Sequence, residues 1–445
     1  MKGLSVRIAV DVSADMAARA LQLSGVPDEK IMVCHEEVQV TEAWKKGFFI
    51  AAGSLELVTH LPFDIIVEST GIPDVGARHA ELAIQAGKHV GIATKETESV
   101  VGPYLTRLAE RQGRLFTPLD GDQPSLLIGL VTWAQTLGFE VVAAGKSSEY
   151  DFIWDEQDCA VWCNSQRYST PDLKSLWALA EDQEVAIVSA RSEALSEIPQ
   201  ISVPDLCEMT NVANATGLIP DRPGFHAMVL RTHEVPTLLD HRELGGVLQG
   251  SGRLEVFNCL RRPDEVSFAG GVFVVLRCED QETWELLRGK GHVLSRSGNS
   301  AMVYLPRHLL GLEAPISMLD AVLKGLPSGG GSAVKPHVDL VARATSEFTS
   351  GQTLEMKGHH RHIEGLRPEV HGAAPLSATS PVPFYLLPGA KIVRPVATGQ
   401  LITLSDVSLP NSHMLRLRRE QDAMFFKDAA SSTQPPKETH PTQQR

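Results

Sequence analysis

Several short runs place ionisable side chains where they could do chemistry. Ala93-Thr94-Lys95-Glu96 follows an apolar stretch and sets a cation beside an acid. A lysine there can aim a proton donor at a carbonyl, and the glutamate can relay or orient; the plainer reading is a solvated pair opening a loop. Asp120-Gly121-Asp122-Gln123-Pro124 puts two carboxylates and an amide just before a helix start. They suit substrate hydroxyls or proton transfer, and equally helix capping, because the helix dipole favours acids at that end. Lys146 follows Ala144-Gly145 at what reads as the carboxyl end of a core strand, where packing alone rarely calls for a lysine. Ser69-Thr70-Gly71 follows a buried-type strand and offers backbone and hydroxyl groups to a ligand, or makes a simple turn. Asn214-Ala215-Thr216-Gly217 is a polar turn after an apolar run, with Asn214 and Thr216 as candidate substrate contacts. His359-His360-Arg361-His362 is dense in histidine, but consecutive loop residues diverge, so no metal site is expected.

The elements that must hold these residues alternate in type. Strands are expected at 6–11, 63–68, 89–93 and 115–117, with helices at 14–23, 75–86 and from Pro103 to Gly113. Strands separated by single helices imply right-handed βαβ units and a parallel sheet. A helix at 124–137 and a strand at 140–144 follow; residues 147–200 show no clear period. Further on, 270–276 reads as a strand and 315–323 as a helix. Pro327-Ser328-Gly329-Gly330-Gly331-Ser332 reads as a flexible linker. Beyond it, Val341-Ala342-Arg343 before Ser350-Gly351-Gln352 matches Ile392-Val393-Arg394 before Thr398-Gly399-Gln400. These look like two related halves of a small β module. From residue 427 the chain is polar and is expected to be disordered.

In an open parallel sheet, ligands sit beyond the carboxyl ends of the strands. A dinucleotide fold uses an acid at the end of its second strand to hold ribose hydroxyls, about 20 residues after a glycine-rich turn. Asp11 ends the first strand here, and no such turn precedes it. The expectation is a unit that begins at what is normally its second strand, with Asp11 as a ribose contact or a solvent-facing strand-end acid. A carboxylate there favours NAD over NADP, because it repels a 2′-phosphate.

The 445 residues carry a formal net charge of -13, which argues against a chain that coats nucleic acid or an anionic membrane. Six cysteines with no Cys-x-x-Cys pair suggest reduced thiols, a cytoplasmic location and no structural zinc.

Taken in order, these segments resemble a homoserine-dehydrogenase-like oxidoreductase family with a C-terminal SAF domain. That family includes an unusual type of 1-deoxy-D-xylulose 5-phosphate reductoisomerase. The match rests on Gly71-Ile72-Pro73, Gly102-Pro103-Tyr104-Leu105, Gly121-Asp122-Gln123-Pro124 and Gly138 through Lys146. It continues through Glu208-Met209, Ala213 to Gly217, Gly245 to Leu248, Gly271 to Val275 and His308 to Glu313. The resemblance implies an α/β chain in three parts. An N-terminally truncated Rossmann-like NAD(P) domain spans 1–120, and an α+β catalytic and dimerisation domain spans 121–326. A linker at 327–337 leads to a β-clip SAF module at 338–426, with a tail at 427–445.

The expected activity is NAD(P)H-dependent reduction of a small carbonyl or sugar-phosphate-like substrate by a homodimer or higher oligomer. Lys146, Asp122 and Glu96 would be catalytic. Asp11, Ser69, Thr70, Gly71, Thr94 and Lys95 would hold NAD or NADP, and Gln123, Asn214 and Thr216 the substrate. Three departures stand out. Ser147-Ser148 follows Lys146 where the family has glycine. Ile201 to Pro204 replaces a lysine-bearing run. The histidine cluster stands in place of a Gly-Gly-Tyr-type stretch. The alternative is a catalytically degenerate protein whose SAF module binds a carbohydrate-like ligand.

Overall fold

The computed structural model describes residues 3–330, 333–358 and 360–426. The expected tail, His359, and residues 331 and 332 of the linker lie outside the described residues. The chain opens with β1 (Ile8–Val10), α1 (Ala14–Leu23), β2 (Ile31–Cys34), α2 (Glu37–Lys46) and β3 (Phe49–Ala52). Ser13 starts α1 by accepting a hydrogen bond from the Met16 amide, a standard N-cap. The three strands are parallel in the order β1-β3-β2. The β2-α2-β3 segment was not foreseen.

Next come β4 (Ile65–Glu68), α3 (Pro73–Gln85), β5 (His89–Ile92), α4 (Lys95–Arg111) and β6 (Phe116–Pro118), again parallel, in the order β4-β5-β6. The expected βα units are present, but they form two sheets and not one. Among the described residues, no strand pairs with the free edge of β1 or of β4. Ile8 and Val10 of β1 and Ile66 of β4 instead pack, half-buried, around one apolar cluster, and Val67 is 42% exposed. Inner strands of parallel sheets are normally buried on both faces, so both edges are apolar beyond what an edge strand needs.

The central region contains α5 (Gln123–Thr136), β7 (Glu140–Asp155), β8 (Ala160–Cys163), β9 (Gln166–Ser169), α6 (Glu184–Ala194), α7 (Val203–Thr216), β10 (Ile219–Pro220) and β11 (Met228–Leu230). It continues with α8 (Val235–Leu238), β12 (Arg253–Arg261), β13 (Val272–Arg277), α9 (Gln281–Gly289), β14 (Val293–Leu294), β15 (Ala301–Leu305) and α10 (Leu310–Lys324). These strands form one mixed sheet, with β10-β12-β7-β13-β15-β14 as its main path. Strand β7 lies between β12, which is parallel to it, and β13, which is antiparallel.

The expectation that this strand stops at residue 144 is corrected. β7 runs 16 residues, so Lys146 lies inside it and not at its end. Ser147-Ser148 has the look of a strand end, yet both residues are buried and paired. The Ser147 amide donates to Gly271 O at 2.9 Å, and Ser148 Oγ donates to Asp205 at 2.7 Å. Gly145 permits the β7–β12 pairing, since a Cβ there would lie 1.9 Å from the Glu255 carbonyl oxygen.

Pro327 to Gly330, expected as part of a flexible linker, is seated on α5. Ser328 is buried and its amide donates to Thr117 Oγ1 at 2.8 Å; Gly329, with φ 70°, sits against Ile128 and Gly129.

The C-terminal part has β16 (Val338–Ala344), β17 (Met356–Lys357), β18 (His362–Ile363), β19 (Leu366–Gly372), β20 (Lys391–Ile392), β21 (Val407–Ser408) and α11 (His413–Phe425). The two related halves are visible as matching turns. Gln352 Oε1 accepts from the Thr349 amide at 2.6 Å, and Gln400 Oε1 from the Ala397 amide at 2.9 Å. The amide of Gly351 donates to Ile392 O, and that of Gly399 to Ala344 O, both at 2.8 Å. Each turn is therefore completed by the strand of the other half. Helix α11, absent from the sequence expectation, lies on α3 and α4; Gln421 accepts from the Tyr104 amide and donates to Val100 O. One apolar core runs from α3 and α4 through α5 and α7 to β16, β19 and α11.

Candidate active site

Helices α4, α5 and α7 and strand β7 converge on a buried row of alternating charge. At one end, the Asp205 carboxylate takes Lys146 Nζ at 2.7 Å. Lys146 also donates to one oxygen of Glu208, and Lys95 donates to the other. Lys95 Nζ lies 3.5 Å from Asp122 Oδ1, and His308 Nε2 lies 3.2 Å from that same oxygen. The row reads Asp205, Lys146, Glu208, Lys95, Asp122, His308.

Local structure explains each placement. Ser202 caps α7 by accepting from the Asp205 amide and in turn donates to Asp205 Oδ2, so the first turn aims this acid inward. Glu208 follows three residues later on the same helix face. Asp122 caps α5 by accepting from the Gln123 amide. Capping and a place in the site, alternatives in the sequence, coincide in this one residue. Lys95 opens α4, directly after β5.

Burial is uneven along the row. The Lys146 side chain is fully buried, while 19% of Lys95 and 31% of His308 stay exposed. The row has one open end, made by Lys95, Asp122 and His308. Burial opposes charge on both lysines, but Glu208 with Asp122 for Lys95, and Asp205 with Glu208 for Lys146, hold both well above the ordinary lysine range. Burial likewise pushes Asp205 and Asp122 up. Lys146 outweighs it at Asp205, and the His308 hydrogen bond with Lys95 outweighs it at Asp122, so both carboxyls sit below their usual value. Two ammonium groups face three carboxylates, and a proton on His308 makes the row neutral. Such a row can hold a carbonyl oxygen by Lys95, stabilise the oxyanion formed from it, and exchange a proton at His308.

Gln123 is buried beside Asp122, and neither atom of its amide has a protein partner. Buried amides are normally paired, so this one is available to a ligand.

The other expected residues distribute as follows. Gly71 is held by its amide, which donates to Thr94 Oγ1 at 3.0 Å. Glu68, not singled out in the sequence, orders the loop by accepting from the amide and hydroxyl of Thr70. Ser69 and Thr70 are exposed beyond β4, and Asp11 is exposed beyond β1. Lys95, expected as a cofactor contact and as a proton donor to a carbonyl, belongs to the charged row. Glu96 turns away from the row toward Arg361, at 3.5 Å, and burial pushes its carboxyl up.

Asn214 and Thr216 are not brought to the site. Asn214 Oδ1 accepts from the amides of His337 and Val338, joining α7 to the C-terminal part, and Thr216 donates to Val212 O inside its own helix. Thr216 lies eight residues after Glu208, roughly 12 Å along the axis.

Sequence reasoning also missed Asp205, Glu208 and His308. The available signal was a pair of acids three apart in an otherwise apolar helix, Leu206-Cys207 and Met209 being fully buried. Among the described residues, no group of acids, histidines and cysteines is arranged to hold a metal ion, and no helix is long and apolar enough to cross a membrane.

Asp11, Thr94 and the Ser69 to Gly71 loop all lie beyond the carboxyl ends of parallel strands, the place where an open parallel sheet takes a dinucleotide. Lys95 directly follows Thr94, and the unpaired Gln123 amide follows Asp122, which Lys95 approaches to 3.5 Å.

No curated protein matches the chain in sequence. Among solved structures, an oxidoreductase from Bacillus cereus is 13% identical, with 67% of this chain and 81% of that one covered and a TM-score of 0.28. The 1-deoxy-D-xylulose 5-phosphate reductoisomerase from Zymomonas mobilis in complex with NADPH is 16% identical, covering 32% of this chain and 38% of that one, with a TM-score of 0.23. Biliverdin reductase from Synechocystis, solved with biliverdin and NADP+, is 22% identical, covering 38% and 55%, with a TM-score of 0.18. The chain spans under two thirds of the length of the latter two. The model of the oxidoreductase DRL catalytic domain matches residues 121–186 and 202–314. These spans contain Asp122, Gln123, Lys146, Asp205, Glu208 and His308, so the row, Lys95 apart, falls inside a region similar to an oxidoreductase catalytic domain, as the sequence expectation of an oxidoreductase required.

Proposed function

We propose that the protein is an NAD(P)-dependent oxidoreductase that reduces a small carbonyl compound. The observation that carries this reading is the single open end of the charged row, where Lys95, Asp122 and His308 meet beside an unpaired amide. A bound NAD(P)H would supply the hydride. Lys95 would donate to the substrate carbonyl oxygen and stabilise the growing negative charge. Its affinity for its proton makes it a better electrostatic clamp than an acid, so His308, oriented by Asp122, delivers the proton. Lys146 is sealed off and acts by fixing Glu208, which in turn fixes Lys95. Asp11 would hold the ribose and favour NAD. A sugar phosphate, or the aspartate semialdehyde of a homoserine dehydrogenase, is the substrate class suggested by the resemblance.

The test is saturable binding of NADH or NADPH to the full chain by calorimetry, followed by oxidation of NAD(P)H with carbonyl compounds. Absence of cofactor binding overturns the proposal. A second reading, a SAF-type module that binds a carbohydrate-like ligand without turnover, is supported by a groove of about 450 Å3 lined by Arg343, Arg394, Gln400 and Asp406. Binding of a sugar acid that is weakened in Arg394→Ala, in a protein that fails to oxidise NAD(P)H, would favour that reading.

A further inference from the structure

Behind the row lies a cavity of about 50 Å3, lined among others by Glu98, Thr106, Glu110, Thr117, Ile128 and Ser328. A water needs on the order of 10–15 Å3 of such space, so the cavity has room for roughly three to five waters. Glu98, Thr106 and Glu110, spaced along α4, all reach the wall of this cavity. This wall runs from the interior to Glu110, which is exposed. Gly102 makes room for the Glu98 side chain, since a Cβ there would lie 2.9 Å from Glu98 Cγ.

Glu98 ends this passage directly behind Lys95. Asn211 Nδ2 donates both to Glu98 Oε2 at 3.2 Å and to the Lys95 carbonyl oxygen at 3.1 Å. Among the described residues, no cation lies within ion-pair distance of Glu98. Glu110, which lines the same cavity, pairs with Arg107. Lys95, on the same helix, turns its ammonium to Glu208 and Asp122. Asp122 faces it from the start of α5, and Asp120 is tied to Ser328 on the cavity wall. Burial and the nearby Asp122 push the Glu98 carboxyl up to about 8, so it carries a proton near neutrality.

We propose that Glu98 is a proton port at the rear of the charged row, exchanging protons with solvent through the cavity along α4. Its catalytic use rests on the reading above. A dinucleotide and a carbonyl compound would cover Lys95 and His308 and shut out water at the front, while the rear stays wet. Each reduction consumes one hydride and one proton. Glu98 would release its proton toward Asp122 and His308 and recover one from bulk water through the cavity.

The test is infrared spectroscopy on the full chain. At pH 7 a protonated carboxyl stretch is expected that disappears in Glu98→Gln and shifts within the mixing time on transfer to D2O. Thr106→Leu, which fills the passage, is expected to slow that shift at least tenfold with an unchanged circular dichroism spectrum. An identical carboxyl spectrum in Glu98→Gln, or an exchange rate indifferent to Thr106→Leu, overturns the proposal. None of these readouts needs cofactor or substrate, so failure of the port and failure of the oxidoreductase reading are seen separately.

Discussion

The ammonium of Lys95, first residue of α4, is ion-paired with the carboxylate of Glu208 in the second turn of α7, 113 residues further on. This contact ties α4 to α7 inside the candidate site. It also divides the labour of the two lysines. Lys146 sets Glu208, and Glu208 sets the one lysine that can reach a ligand.

Glu208→Ala is expected to cost stability as well as activity. It leaves the fully buried Lys146 with Asp205 alone and strips Lys95 of its closest partner. Breaking a buried ionic cluster by removing one member typically costs about 3–5 kcal/mol. Urea denaturation reads this directly, and a loss below about 1 kcal/mol would contradict the description of the row.

Lys95→Met is expected to behave differently. The side chain is partly exposed at the open end, so the fold should persist. Loss of an oxyanion-stabilising donor typically lowers kcat about 10²–10³-fold. Steady-state oxidation of NAD(P)H checks this, and the fall should appear in kcat more than in the KM for cofactor.

Acid should weaken the site through Asp205. Its carboxyl is held below the usual 3.8 by Lys146 against the opposing effect of burial. A depressed folded-state value means that the stabilisation is complete above the unfolded value and is lost as pH falls through the folded one. Melting temperature should therefore drop more steeply below pH 4 in the native chain than in a Lys146→Met, Asp205→Leu double variant. Equal slopes would show that the pair adds nothing.

Gly145→Ala is expected to disrupt the central sheet. The new methyl group would meet the Glu255 backbone at 1.9 Å, and backbone cannot step aside as a side-chain tip can. Overpacking of this kind costs about 1–3 kcal/mol or more. Thermal unfolding measures it. Ala144→Gly, one residue away, should not show the same displacement of β12.

Much of the framework was legible because its signals are local. Helix α5 was expected at 124–137 and is found at Gln123–Thr136; the alternation of β4, α3 and β5 followed from apolar runs and from glycines such as Gly87. Residues 28–62 gave no such signal, since β2 and β3 have four residues each and α2 is largely polar. Lys95, Lys146 and Asp122, singled out in the sequence, meet in one charged row, but the acids that join them there were not singled out. Asp205 resembles a routine capping acid after Ser202, and Glu208 sits among apolar neighbours. Only the meeting of α7 with β7 and α4 shows that these acids answer two lysines. Asn214 was misread because a polar residue near a helix end can serve a backbone 123 residues away as readily as a substrate.

The matched turns of the C-terminal module have an architectural consequence. Gly351 and Gly399 each bond the strand that belongs to the opposite half, so the halves are laced together and not merely stacked. Each half closes its own turn through its glutamine, but the glycine amide of each turn finds its acceptor in the other half. Either half expressed alone would leave its glycine amide without that protein acceptor, so the two turns hold their shape only together.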